Sequence, residues 1–294
     1  MRKAVVIGFI FTMVISLADA QSFYSIRRER SLIAVGGIGT STYLGELSNE
    51  GDYIDAKPTI NIGLQYYLTN RIALRSEITW YTLKGDDAKA DPESGRAPRN
   101  LSFTSSNYEV NVTGIVNFFP HGRRFYQRPG FNLYGFAGIG LTYFNPKTEY
   151  QGQKIALQPL QTELTKYSRV TPVIPYGLGA RFKAGPFFSV AIEGGLRKTF
   201  TDYMDDVSTV HNDASKFSDP LAHALSDRRP EIGLPLAADG YIRGNPDKDD
   251  SYLLLTVKVE YYLPFQAKSS SNKKLVNKKR KSFYRYNKRG GLKR

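Results

Sequence analysis

From Leu32 to Phe265 the chain is a succession of short segments in which apolar and polar side chains alternate with a period of two. That period places successive side chains on opposite faces of a strand, so each segment predicts a strand with two unlike faces. Phe188–Val210, FSVAIEGGLRKTFTDYMDDVSTV, shows the pattern and its limit. One face reads Phe188, Val190, Ile192, Leu196 and Phe200, and the other Ser189, Ala191, Glu193, Gly195, Arg197 and Thr199. The alternation then gives way to an acidic loop.

Eight such strands are expected: 32–43, 59–68, 72–83, 108–119, 132–144, 173–183, the segment starting at 188, and 251–265. Turn residues bound each of them. No segment carries a sustained apolar stripe of helical period. The connections alternate in length. Thr69-Asn70 and Gly185-Pro186 are short and 121–130 is intermediate, whereas 85–100, the stretch of prolines after Phe144 and 203–250 are long.

Alternation alone fits a water-soluble barrel and a membrane barrel equally, because one is the other turned inside out. Three further patterns favour the membrane. Short turns gather at one end and long loops at the other, as in outer-membrane barrels. Aromatic residues flank aliphatic strand centres, with Tyr66, Tyr67, Phe118, Phe119, Phe182, Phe187, Phe188, Tyr261, Tyr262 and Phe265 at the short-turn end and Tyr43, Trp80, Tyr81, Tyr108, Tyr143, Phe144, Phe200 and Tyr252 at the other. The polar faces hold Arg75, Glu77, Glu109, Arg181, Glu193, Arg197, Lys258 and Glu260, four cations and four carboxylates. Such charges are costly against lipid near mid-strand but can pair with one another in a lumen. The expected fold is therefore all-β, an eight-stranded antiparallel transmembrane barrel over residues 21–265 with long extracellular loops. Eight strands enclose only enough space for their own side chains, so the lumen is expected to be plugged by this charge network.

Charge and cysteine content sharpen the compartment. The formal net charge is +14, and residues 266–294 hold eight Lys and four Arg with no acid. The barrel itself is nearly neutral, which removes the argument for nucleic-acid binding. The basic tail is expected to be disordered and periplasmic. Arg2-Lys3, an apolar run to Leu17 and Ala18-Asp19-Ala20 have the form of a signal peptide over residues 1–20. The chain has no cysteine, so disulfides, thiolate metal sites and a lipidated cysteine are excluded. Localisation in the cell outer membrane is the expectation.

Candidate chemistry is sparse. Ser208 with His211 is the one pair to weigh as nucleophile and base, and a lipid-modifying hydrolase would need them within hydrogen-bond reach. Asp202, Asp205 and Asp206 are weak candidates for calcium, joined by Asp247, Asp249 and Asp250 from the end of the same loop. Their spacing is not that of an EF-hand, and a solvated acidic loop is the expected reading. No cofactor or enzymatic activity is expected. The glycine runs 36–39 and 135–140 lie within strands and open no helix, so they lack the context of a phosphate-binding loop.

Several stretches recur in order: TYLGEL at 42–47, LKGDDAKA at 83–90, YGFAGIGLTYFNPK at 134–147, IPYGLGARFK at 174–183, TFTDYMDDVST at 199–209 and RGNPDKDDSY at 243–252. Together they resemble the PorG-type outer-membrane barrel of the Bacteroidetes type IX secretion system. The resemblance implies a non-enzymatic secretion component that ties the periplasmic ring of the PorK lipoprotein and PorN to the outer membrane. It turns attention to the periplasmic side, where Arg123, Arg124 and Arg128 and the tail residues Lys278, Lys279, Arg280 and Lys281 are candidate contacts for ring proteins or cell-wall polymer. A general envelope or adhesion barrel is the alternative.

Overall fold

The computed structural model describes residues 30–49, 56–121 and 125–264. The expected signal peptide, the basic tail with Lys278, Lys279, Arg280 and Lys281, and Arg123 and Arg124 lie outside the described residues. The described residues form ten strands: β1 (Leu32–Leu44), β2 (Lys57–Tyr67), β3 (Ile72–Asp86), β4 (Ser102–Asn117), β5 (Phe131–Tyr143), β6 (Pro146–Tyr150), β7 (Gln153–Ala156), β8 (Val170–Lys183), β9 (Phe188–Thr199) and β10 (Ser251–Tyr262). Eight of them close a ring in the order β3-β2-β1-β10-β9-β8-β5-β4, and β4 pairs back to β3. Every pairing is antiparallel. A closed ring leaves no unpaired backbone edge for lipid to face, which is why strands cross membranes only as barrels.

The alternation resolves into inside and outside. Ile38, Ile139 and Leu178 are 67%, 73% and 66% exposed, and Leu64, Ile78, Val110, Ile192 and Leu255 share the same outer surface. An apolar surface encircling a whole barrel far exceeds the patches that water-soluble proteins tolerate. The fold is a transmembrane β-barrel, and its outer belt is the lipid-facing surface. Among the described residues no helix is long and apolar enough to cross a membrane.

Three departures from the sequence expectation have local causes. β4 begins at Ser102, six residues before Tyr108, and its ladder with β3 continues up to Asp86 opposite Ser102. Phe103, Ser105 and Asn107 face inward and Thr104 and Ser106 outward, so after Phe103 the alternation persists in short polar residues on both faces. The proline-rich stretch after β5 contains the β6–β7 hairpin, which leans on β4 through Thr104–Lys147 and Ser105–Pro146. Gln151 and Gly152 form its two-residue turn at φ 49° and 75°, the left-handed backbone such turns demand. Within β8, Pro175 has no amide to donate. The β5–β8 pairing skips Ile174 and Pro175 there and resumes in the same register.

The aromatic belts are thinner than expected. Tyr43, Tyr81, Phe144 and Tyr252 are buried inside, while Tyr108, Tyr143 and Phe200 face out. The pairs Trp80-Tyr81, Tyr143-Phe144, Phe187-Phe188 and Tyr261-Tyr262 are adjacent in sequence, so the two-residue period sends one of each inward. Lumenal space is tight: a Cβ on Gly37 would lie 2.3 Å from Asn61 Oδ1 and 2.7 Å from Lys258 Cγ.

Candidate functional site

The lumen is filled by ionic side chains from facing strands, in three tiers. In the central tier, Arg75 on β3 pairs with Glu193 on β9 through both terminal nitrogens, one at 3.0 Å, and its Nε lies 3.0 Å from Glu77. Lys258 on β10 bridges the same two carboxylates at 2.5 and 2.6 Å. Tyr134 donates to Glu193 at 2.6 Å and Asn61 to Glu77 at 3.0 Å. Toward the short turns, Arg181 reaches Glu260 at 2.7 Å and donates to Asn117 at 2.7 Å. Toward the long loops, Glu109 lies 3.7 Å from Arg197 Nε and accepts from Tyr252 at 2.6 Å. All eight charged residues of the polar faces are thus buried within the barrel, each carboxylate against a cation. Arg75, Tyr81, Tyr134, Tyr252 and Lys258 are among the largest fully buried side chains, and they occupy the space a solute would need. This interior holds the barrel shut, which leaves its two mouths as the working surfaces.

At the long-loop mouth the segment 200–250 folds back over the barrel and buries a carboxylate-rich core. Tyr43 OH lies 2.8 Å from Asp205 Oδ2 and also contacts Asp250 Oδ1. Its single hydrogen serves one of them, so the second contact needs a proton on a carboxyl. Burial raises Asp205 well above the ordinary carboxylate range, and the nearby Asp250 and Glu46 charges add to this. Asp250 is pushed up to about 7 and Glu46 to about 8, each chiefly by burial. Backbone amides hold the pair in place: Val207 N donates to Asp205 and Met204 N to Asp250, both at 2.9 Å.

Beside this pair, Arg243 organises a second knot. It donates to Glu163 at 2.6 Å and to the Asp206 carbonyl at 2.7 Å. Glu163 accepts from the amides of Ser208 and Thr209 at 2.9 and 3.0 Å. Burial raises Glu163, but Arg243 and these donors outweigh it and leave its carboxyl below the ordinary range. Asp206, in the left-handed region at φ 69°, accepts from Thr162 and from Tyr167 OH at 2.6 Å. Tyr167 stacks on Tyr203 with ring centroids 4.7 Å apart.

The acidic loop is therefore not the solvated segment its composition suggests. Asp202, Asp205, Asp206 and Asp250 are all buried, because the loops above the barrel form a packed cap with a core of Leu47, Leu101, Met204, Val207 and Leu225. Among the described residues, no group of three or more His, Asp or Glu side chains is arranged to hold a metal ion. Asp205 and Asp206 face hydroxyl donors, and Asp202, pushed up to about 7 chiefly by burial, lies under the cap. Asp249, by contrast, is only half-buried and pairs with Lys198 at 3.1 Å.

Ser208 and His211 are also buried, but they do not form a nucleophile–base pair. Neither ring nitrogen of His211 has a hydrogen-bond partner. Burial, aided by Arg243, lowers His211 to about 4, so it is neutral at physiological pH. His223 sits on the short helix α1 (Pro220–Ser226), and His121 lies at the opposite mouth against the Tyr67 ring at 4.4 Å.

The short-turn mouth is closed by cations on aromatic faces. Arg128 lies 4.0 Å from the Tyr262 ring centroid and 4.4 Å from that of Phe125. It donates to the carbonyls of Gly185 and Pro186 at 3.0 and 3.1 Å. Arg30 donates to the Tyr262 carbonyl at 2.6 Å and covers the Phe187 ring at 4.2 Å. At 7% exposure Arg128 is part of the seal, and a partner would have to displace these contacts to reach it.

Sequence reasoning placed Tyr43 in an aromatic belt and passed over Glu46, Glu163, Tyr167 and Arg243. Three of them stand in the recurring stretches, Tyr43 and Glu46 in TYLGEL and Arg243 in RGNPDKDDSY, and these stretches meet TFTDYMDDVST in the cap. Glu163 and Tyr167 lie in the proline-rich stretch, where nothing local marks them.

Among solved structures, the chain is similar to Neisserial surface protein A (8% identity, TM-score 0.38, covering 79% of this chain and 97% of that one). It is also similar to a major outer membrane protein from Thermus thermophilus (9%, 0.39, 79% and 98%). Ail, the attachment invasion locus protein of Yersinia pestis, solved with the heparin analogue sucrose octasulfate, is a third (12%, 0.38, 79% and 98%). Similarities at this level extend no function to the chain. No curated protein matches it in sequence. A family model described as a domain of unknown function, DUF6089, matches residues 9–219, and the chain belongs to that family.

Proposed function

We propose that the protein is a non-enzymatic outer-membrane component of the type IX secretion machinery, anchoring the periplasmic ring of the PorK lipoprotein and PorN to the membrane. The observation that carries this reading is the meeting of distant stretches in the cap. Tyr43 of TYLGEL contacts Asp205 and Asp250, 162 and 207 residues away, in the two other stretches on which the PorG resemblance rests. The resemblance thus follows one built unit. A lumen filled by paired charges suits an anchor better than a pore, and the uncoupled Ser208 and His211 suit it better than a hydrolase. In this orientation the long loops are extracellular. The short turns, the 118–130 connection and the tail, including Lys278, Lys279, Arg280 and Lys281, are the periplasmic contact surface.

Deleting the gene tests the assignment. Loss of export of proteins bearing type IX signals is expected, together with photo-crosslinks from the 118–130 connection to ring subunits. Intact export with an altered envelope would overturn it. A second reading, an envelope or adhesion barrel acting through its cap, draws on the exposed Ile232, Leu236, Tyr241 and Ile242 of the last loop. Intact export combined with lost surface attachment would favour that reading.

A further inference from the structure

The outer face of β3, β4, β5 and β6 carries four unlike rows, stacked in register. The first is aliphatic, with Ile78 opposite Val110 and Val110 opposite Leu141. The second is aromatic, with Trp80 opposite Tyr108 and Tyr108 opposite Tyr143. The third pairs Thr82 with Ser106, and Trp80 Nε1 donates to Ser106 Oγ at 2.8 Å. The fourth is basic, with Lys84 opposite Thr104 and Thr104 opposite Lys147. A groove of about 400 Å³ runs up this face, lined by Tyr108, Tyr143, Ser106, Thr104, Lys147 and Lys154, with the acid Glu149 at its upper end.

The order of the rows matches the polarity profile of a membrane surface. Aliphatic side chains meet acyl chains, aromatic ones sit at the interface, and hydroxyls and amines meet headgroups. Two residues along a strand advance ~6.6 Å, or ~5 Å toward the surface at a tilt of about 45°. The lysine row then stands roughly 9 Å beyond the aromatic row, at the outer side of the headgroup layer. Lys84 and Lys147 flank Thr104 from the strands on either side, about 10 Å apart at the backbone. Two ammonium groups and a hydroxyl at that span suit phosphate oxygens. The acids of this face stand one row higher: Asp86 is 3.7 Å from Lys84, and Glu149 is opposite Lys154. The lysine row itself therefore remains the cationic band nearest the lipid.

We propose that this face docks the phosphorylated headgroup of a glycolipid of the outer leaflet, a reading that rests on the orientation given above. The test uses the full barrel in bicelles and three probes: diphosphoryl lipid A, its dephosphorylated form and free inorganic pyrophosphate. Wild type is expected to bind the diphosphoryl lipid at least tenfold more tightly than the Lys84→Gln/Lys147→Gln double variant. The dephosphorylated lipid should bind wild type no better than the phosphorylated lipid binds the variant, and Lys183→Gln at the opposite rim should change nothing. Both replaced lysines are solvent-accessible, and unchanged heat-modifiable gel mobility verifies that the variant is folded. Equal binding by the variant, equal binding of the dephosphorylated lipid, or competition by pyrophosphate at the lipid's own concentration would overturn the proposal. Protease cleavage within 200–250 on intact cells reads the orientation separately. Its failure would remove the outer leaflet as the source and with it the secretion reading, whereas a failure of lipid discrimination leaves that reading standing.

Discussion

Arg75→Met isolates the energetics of the lumenal plug. In the native barrel two cations, Arg75 and Lys258, stand against two carboxylates, Glu77 and Glu193, all within 3% of full burial. Removing Arg75 leaves two carboxylates sharing one ammonium, a buried charge of −1. Each lost contact at about 3 Å has a screened Coulomb energy of roughly 5 kcal/mol at an effective dielectric of 20. Relief of the Arg75 desolvation offsets much of this, and breaking one side of a buried ion pair costs about 3–5 kcal/mol net. The expected loss is in that range. Arg75→Met/Glu193→Gln, which restores neutrality, should recover at least half of it. Urea titration of the barrel folded into vesicles gives the free energies, with the single tryptophan, Trp80 on the outer face of β3, reporting exit from lipid. A loss of Arg75 below ~1 kcal/mol, or a double variant less stable than the single one, would refute the account of the plug as a neutral, mutually satisfied network.

The cap should loosen as pH rises. Glu46, Asp202 and Asp250 have folded-state values of about 8, 7 and 7, above those of unfolded carboxylates. The folded state therefore binds more protons, and stability is full below about pH 4 and declines as pH rises toward 8. Hydrogen exchange should show the Met204 and Val207 amides less protected at pH 8.5 than at pH 5, and Asp250→Asn should flatten that difference. Tyr43→Phe strands a buried carboxylate acceptor and a buried carboxyl donor at a cost of about 1–3 kcal/mol, read as faster proteolysis of the 200–250 loop with the barrel intact. Gly37→Val places methyl groups where Asn61 and Lys258 already stand, and the overpacking should cost about 1–3 kcal/mol in the same urea assay.

The barrel was legible because its information is local. Phe188, Val190 and Ile192 alternate with Ser189, Ala191 and Glu193, and a period of two needs no knowledge of partners to assign faces. Mid-strand charges such as Glu77 and Lys258 could be placed inside for the same reason, since lipid excludes them. What the sequence left open is who pairs with whom. Arg75 is 118 residues from Glu193, and Lys258 is 181 from Glu77, and only closure of the ring puts β3, β9 and β10 around one tier. The cap was misread because loop composition reports solubility of isolated residues. TDYMDDVS looks like a solvated acidic run, yet Tyr43, Thr162 and Tyr167 arrive from other parts of the chain to receive its acids, and Arg243 takes the Asp206 carbonyl. Likewise Arg128 reads as a surface cation until Phe125 and Tyr262 close around it. Periodicity fixed which way each strand residue points; burial of the loops, a property of the assembled mouth, decided which charged groups meet water.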